Sequence, residues 1–368
     1  MPRRLRPVCG GLLLMAIALA AAPVAAQERA GTECPPTTSS PPREPDGFQL
    51  VLPPHPDEPT TASVGLFLTG VREIDEGADT FTVEGTLDVV WCDARLAFDA
   101  SDLEIPHRLY LGEAAIERLT SIWSPGLTLA RTAEATAGDA TELTIRSDGT
   151  VTLREGFRAV LGASFEMRRF PFDRQQLPIE IRSTLWGADH LLLTSAGVTL
   201  ADDFRIRGWT VGEAEVAVVE GQGARDRTRF SSLTATVHVD RDPGFFVLKV
   251  MVPLAIIVLM LAGLFWTPVS DSGMRVRGAI AGLLTVAAYG FVVSRFVPIH
   301  VYSSFLDAFV LASFVFPAVL MVLVVMSGRR YETDGGAAAK SFDRTARAIY
   351  VVGYAGVTLL LAVAYLLV

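Results

Sequence analysis

The stretch FEMRRFPFDRQQLPIEI, Phe165 to Ile181, places an acid and two large aromatics on one short turn. Proline supplies no ladder donor and fixes its own backbone angle. Phe170-Pro171-Phe172-Asp173 therefore reads as a rigid turn interrupting a strand-like alternation. A carboxylate at such a turn needs a partner if its surroundings are dry. Bond-making chemistry is not indicated elsewhere. His55, His107, His190, His238 and His300 fall in no metal-ligand spacing. Gly-x-Ser-x-Gly is absent, and GGAAAKS (Gly335 to Ser341) lacks the second glycine of a phosphate loop and reads as a flexible linker. No enzyme activity, metal or cofactor is implied, and the exported part is not basic enough to suggest nucleic acid.

The elements that must position this turn follow from how hydrophobicity is distributed. Half of the 368 residues are hydrophobic while the net charge is -8. The mean hydropathy of +0.38 is high for a soluble chain. The excess sits at the start and in the last third. Residues 1–26 combine a basic start, a short apolar run and an Ala-x-Ala-like end, the pattern of a signal peptide, so export is expected, most simply to a bacterial periplasm. Residues 27–60 form a proline-rich leader. Cys9 leaves with the signal; Cys34 and Cys92 remain, and an exported pair could bridge, which spacing alone does not decide. Over 61–242 the text is β. TFTVEGTLDVVW alternates Phe81, Val83, Leu87, Val89 and Trp91 against polar residues, and Ser147-Asp148-Gly149 separates two further alternating runs. The expected fold is an all-β, immunoglobulin-like sandwich. From Pro243 the pattern changes. Apolar stretches at 245–266, 278–297, 305–326 and 346–368 each approach the ~20 residues that cross hydrocarbon as a helix. Four spans after an exported domain put both ends outside the cytoplasm. Arg329, Arg330, Lys340, Arg344 and Arg347 between the third and fourth spans agree with a cytoplasmic connection.

Several landmarks occur in a fixed order within this architecture. TFTVEGTLDVVWCDARLAFD ends in a Trp-x-Asp and Arg-Leu signature (Trp91, Asp93, Arg95, Leu96). SIWSPGL carries Trp123 and Pro125, RRFPFDRQQLP follows, and RDPGFFVLKVMVP places Arg241 and the in-helix Pro253 at the first span. Together they resemble the prokaryotic pentameric ligand-gated ion channels, relatives of the Cys-loop receptors, over nearly the whole mature chain. The departures are specific. Ala163 and Leu177 stand where animal receptors carry the loop cysteines. Thr86, Leu129 and Ala130 fall where aromatic-box rings are sought, leaving Trp186 and Phe230 as the aromatic candidates for ligand contact. The resemblance implies that the Phe-Pro-Phe-Asp turn lies at the floor of the sandwich and presses on the membrane domain. Arg241 is the expected partner of Asp173, with Asp75 as a second acid on the first hairpin, and Pro298 completes the coupling set.

The same resemblance assigns the pore to the second span, with Arg277, Ala281, Leu284, Ala288, Phe291 and Arg295 along its inner face at steps of four and three. A homopentamer would stack these into rings around one axis. Leu284 and Phe291 give apolar rings that can gate by dewetting, and Arg277 gives a basic ring that favours anions. Gly273 occupies the position of the acidic ring of cation-selective relatives, and the nearest acid is Asp271. The expected protein is a ligand-gated channel of a bacterial inner membrane, in contact with lipid, permeant inorganic ions and an unidentified small-molecule or proton agonist. The alternative is a non-conducting, membrane-anchored periplasmic binding or sensor protein.

Overall fold

The computed structural model describes Cys34 and residues 49–55, 57–100, 106–222, 229–294 and 304–367. The expected signal peptide and most of the expected leader lie outside the described residues, as do Arg295 and Pro298.

Period-two alternation builds the first part. β2 (Thr80–Cys92) buries Phe81, Val83, Leu87, Val89 and Trp91 while its intervening residues stay partly open. It pairs antiparallel with β1 (Thr60–Asp75) on one side and β6 (Thr150–Gly162) on the other. With β3 (His107–Leu111), β5 (Thr132–Arg146) and β8 (Leu191–Leu200) they make a sheet ordered β3-β5-β6-β2-β1-β8, in which β1 and β8 run parallel. A second sheet, ordered β4-β7-β10-β9, contains β4 (Leu127–Leu129), β7 (Arg174–Ser183), β9 (Trp209–Gln222) and β10 (Arg229–Arg241). Leu177, Ile179 and Ile181 from β7 and Leu233, Ala235, Val237 and Val239 from β10 share one core with the buried face of β2. The β5–β6 hairpin turns at Gly149, whose φ of 88° is costly for any other residue. A methyl there would also sit 2.6 Å from the Asp93 carbonyl oxygen.

Cys34 and Cys92 are joined by a disulfide across 58 residues, a pairing that spacing left open. Cys34 is buried at the end of β2 and is the point at which the leader is tied to the sandwich.

Four apolar helices follow: Gly244–Trp266, Ser272–Val293, Phe305–Asp334 and Gly336–Leu366. The second is the least apolar. It begins six residues earlier than hydropathy suggests (272 against 278), because Asp271 caps it, its Oδ1 accepting from the Met274 N–H at 2.9 Å. Asp271 is thereby held as a helix cap. The expected linker over 335–341 is corrected as well. Only Gly335, at φ 85°, breaks the chain, and the fourth helix starts at Gly336. Its run of alanines has the highest intrinsic helix propensity, so the segment continues as helix rather than loop. The first and second spans pack closely at Gly282, where a methyl would clash with the Leu261 side chain.

Candidate functional site: the sandwich–membrane junction and the second span

The turn after β6 docks on the membrane helices by backbone and by ring. The first N–H groups of a helix have no intrahelical acceptor. Here the turn supplies acceptors to the third span: Phe305 N–H donates to the Arg168 carbonyl at 2.9 Å and Leu306 N–H to the Phe170 carbonyl at 3.2 Å. Ser304 and Asp307 satisfy further donors through a reciprocal capping box. Phe170, 1% exposed, meets Phe246 of the first span edge-on at 4.6 Å between ring centres. Phe172 meets Phe305 of the third span at 5.8 Å. The peptide bond before Pro171 is cis.

Asp173 finds the expected partner. Arg241 at the end of β10 grips it with two bonds, Nε to Oδ1 at 2.7 Å and Nη2 to Oδ2 at 3.1 Å. The Arg241 backbone N–H also donates to the Asp173 carbonyl at 3.1 Å. Gln175 Nε2 donates to Asp173 Oδ2 at 2.6 Å, so the carboxylate is satisfied although almost fully buried. The guanidinium lies between two aromatic faces, 4.1 Å from the Trp209 ring centre and 4.7 Å from that of Phe170.

The second acid is Glu76, in place of the expected Asp75. Arg241 Nη1 meets Glu76 Oε1 at 2.7 Å. Asp75 instead bends over its own hairpin, its Oδ1 accepting from the Gly77 and Ala78 N–H groups, both at 2.9 Å. The reason is local. Aspartate closing a strand is short enough to bond the backbone two residues on, while the next residue, with one more methylene, reaches across the junction. Trp209, Gln175 and Glu76 were not identified from the sequence. An acidic pair at a hairpin tip was the available signal, and only the direction of each side chain separates its members.

On the second span, Arg277, Ala281, Leu284, Ala288 and Phe291 are all exposed on the single chain, Leu284 by 64% and Phe291 by 76%. Arg275, Ala279, Gly282, Val286 and Val293 are its buried residues. At about 100° per residue the first set spans roughly 80° of the helix and the second lies on the opposite side. Arg275 is thus removed from the Arg277 side. Only 1% exposed, it pairs with Asp343 of the fourth span at 2.9 Å, donates to Ser327 of the third at 3.1 Å, and bonds the Thr267 hydroxyl at 3.2 Å and its carbonyl. One guanidinium joins all four helices at this end.

The aromatic candidates for ligand contact do not face one another. Trp186 Nε1 donates to the Ser124 carbonyl at 2.8 Å and its ring packs beside Trp123 and His190. Phe230 lies under the Arg182 guanidinium, 5.4 Å from its ring centre. No ring contact joins Trp186 to Phe230 among the described residues. Two titratable groups on the large sheet are displaced in opposite directions. Hydrogen bonding from Arg72 holds the Glu84 carboxyl below its ordinary range, whereas burial raises that of Glu155 on the core-facing register of β6.

Comparison with known proteins agrees with this arrangement. The family model described as the neurotransmitter-gated ion-channel ligand binding domain matches residues 46–243. A proton-gated ion channel of Gloeobacter violaceus is 25% identical over 320 residues, covering 86% of this chain and 87% of that one. The acetylcholine receptor subunit beta of Xenopus laevis is 24% identical over 261 residues, covering 66% of this chain and 50% of its own. A gamma-aminobutyric acid receptor subunit beta of Caenorhabditis elegans is 24% identical over 266 residues, 69% and 46% respectively. The chain therefore spans about half the length of these animal relatives and most of the bacterial one. With a β-sandwich of the matched kind over more than half of its length and four apolar helices behind it, the chain belongs to the family of pentameric ligand-gated ion channels.

Proposed function

We propose that five copies of this chain close around their second spans to form a pore, which the sandwich opens through Arg241, Asp173, Glu76 and the Phe170-Pro171-Phe172 turn. Supporting this reading is the division of the second span into a buried face and an opposite stripe of Arg277, Ala281, Leu284, Ala288 and Phe291. A helix that only anchors has no reason to turn an arginine and small residues away from its own bundle. Both chain ends lie outside the cytoplasm of a bacterial inner membrane, and the basic residues from Arg329 to Arg347 mark the cytoplasmic side.

Selectivity leans to anions. Five Arg277 side chains near one constriction raise the local potential and concentrate negative ions. The agonist is a small molecule or the proton. Trp186 and Phe230 do not form a shared ring cage, which weighs against an amine held by an aromatic box. Reversal potentials in planar bilayers under a potassium chloride gradient test the proposal, with pH steps as the first activator. The expected value lies near that of chloride and moves toward zero in Arg277→Ala. A value near that of potassium overturns the anion preference.

A further inference from the structure

Pro253 stands near the start of the first span and has no N–H, so the Lys249 carbonyl four residues earlier lacks its α-helical donor. The helix yields locally. Val247–Met251 is π-helical, with the Val252 N–H bonded to the Val247 carbonyl, and α-helix resumes at Val252. Such breaks leave backbone acceptors open to a neighbour.

That neighbour is the second span. Tyr289 Oη donates to the Lys249 carbonyl at 2.6 Å and lies 3.3 Å from the Val250 carbonyl. An unsatisfied carbonyl is costly in hydrocarbon, which gives this bond a reason to persist. Tyr289 directly follows Ala288 of the exposed stripe, and its ring packs against the buried core. Lys249 lies eight residues after Arg241 along one continuous segment from β10 into the first span. A bond from the break to Tyr289 therefore links the junction to the stripe through backbone.

We propose that Tyr289 is a positioning residue for gating. Its hydroxyl fastens the second span to the backbone break made by Pro253 and holds the Ala288–Phe291 part of the stripe in its orientation. The inference rests on the reading that the second span lines the pore. The fastening occurs within one chain and is independent of any agonist.

Hydrogen exchange of peptides covering 245–256, on the full chain in lipid nanodiscs, reads the fastening directly. Tyr289→Phe keeps the ring and removes the hydroxyl, and exchange there is expected to rise about tenfold, the size of one net hydrogen bond. Pro253→Ala returns an N–H to the Lys249 carbonyl. In that background Tyr289→Phe is expected to change exchange by less than about twofold, the non-additivity of residues sharing one acceptor. An unchanged rate in Tyr289→Phe, or equal effects in both backgrounds, overturns the fastening. Gating is read as open probability in planar bilayers on a Leu284→Ser background, where a hydrated ring gives spontaneous current. Tyr289→Phe is expected to shift open probability by about tenfold, and by less in Pro253→Ala. Fastening seen by exchange without a change in current overturns the positioning role. A Leu284→Ser protein that carries no current overturns the pore reading and the gating role with it, and the exchange result still decides the fastening.

Discussion

At Arg241 one guanidinium meets two carboxylates and two aromatic faces while only 8% of its side chain is exposed. Removing one member of such a set leaves buried charge uncompensated, at a cost of about 3–5 kcal/mol. Arg241→Ala is therefore expected to assemble with a lower melting temperature and to open poorly. Arg241→Lys rescues only in part, because an ammonium cannot reproduce the two-bond grip on Asp173. Agonist- or pH-evoked currents check this, and normal opening in Arg241→Ala would remove the junction from the mechanism. Glu155 offers a residue-level test of pH dependence. Burial raises its folded pKa above the unfolded value, so the stability tied to its protonated form is present below about pH 4.3 and is lost as pH rises through the folded value. Glu155→Gln should raise the melting temperature at pH 7 and lose that advantage in acid. Parallel melting curves of the two proteins from pH 4 to 8 would contradict it.

Among the elements, the second span is fixed to its bundle at one end by the Arg275 node and lies against the first span at Gly282. A buried ion pair is weak evidence for stability in itself, yet breaking one is expensive. Asp343→Asn should therefore lower the melting temperature by an amount corresponding to about 3–5 kcal/mol, since Arg275 would keep its charge with only neutral acceptors, on Ser327, Thr267 and Phe265, to receive it. Thermal unfolding in detergent measures this, and an effect no larger than that of a surface substitution would show the node to be solvated. The disulfide acts on a different element. Closing a loop of 58 residues contributes about 4 kcal/mol in the chain-entropy account, by restricting the unfolded chain between Cys34 and Cys92.

At the scale of the whole molecule, one copy of the second span encloses nothing. Closure requires repetition about an axis, and identical chains do so with cyclic symmetry. Purified protein is expected to show fivefold symmetric particles by electron microscopy, with the second spans at the centre. Monomers or dimers alone would remove the pore. In such a ring the first turn of the third span, clasped by the carbonyls of Arg168 and Phe170, fixes each sandwich over its own bundle. The structure joins sandwich and membrane helices at two places, at the turn against the third span and where β10 continues into the first.

The order of elements was legible because it depends on periods that survive in one dimension: alternation in β2, runs of about 20 apolar residues in the spans, and the fixed sequence of the Trp91, Phe170 and Arg241 landmarks. Helix ends were legible only in part. Hydropathy follows lipid contact, whereas the helices end where caps and backbone bonds stop, so the apolar run of the second span starts six residues inside its helix and the helical segment Gly336–Ser341 reads as a linker. The partners of buried charges were decided by tertiary structure. Asp75 and Glu76 are adjacent, as Arg275 and Arg277 are nearly so, and composition treats the members of each pair alike. Side-chain reach and helical phase separate them. A difference of one methylene gives Glu76 to Arg241, and about 200° of helix sends Arg275 into the bundle and Arg277 away from it.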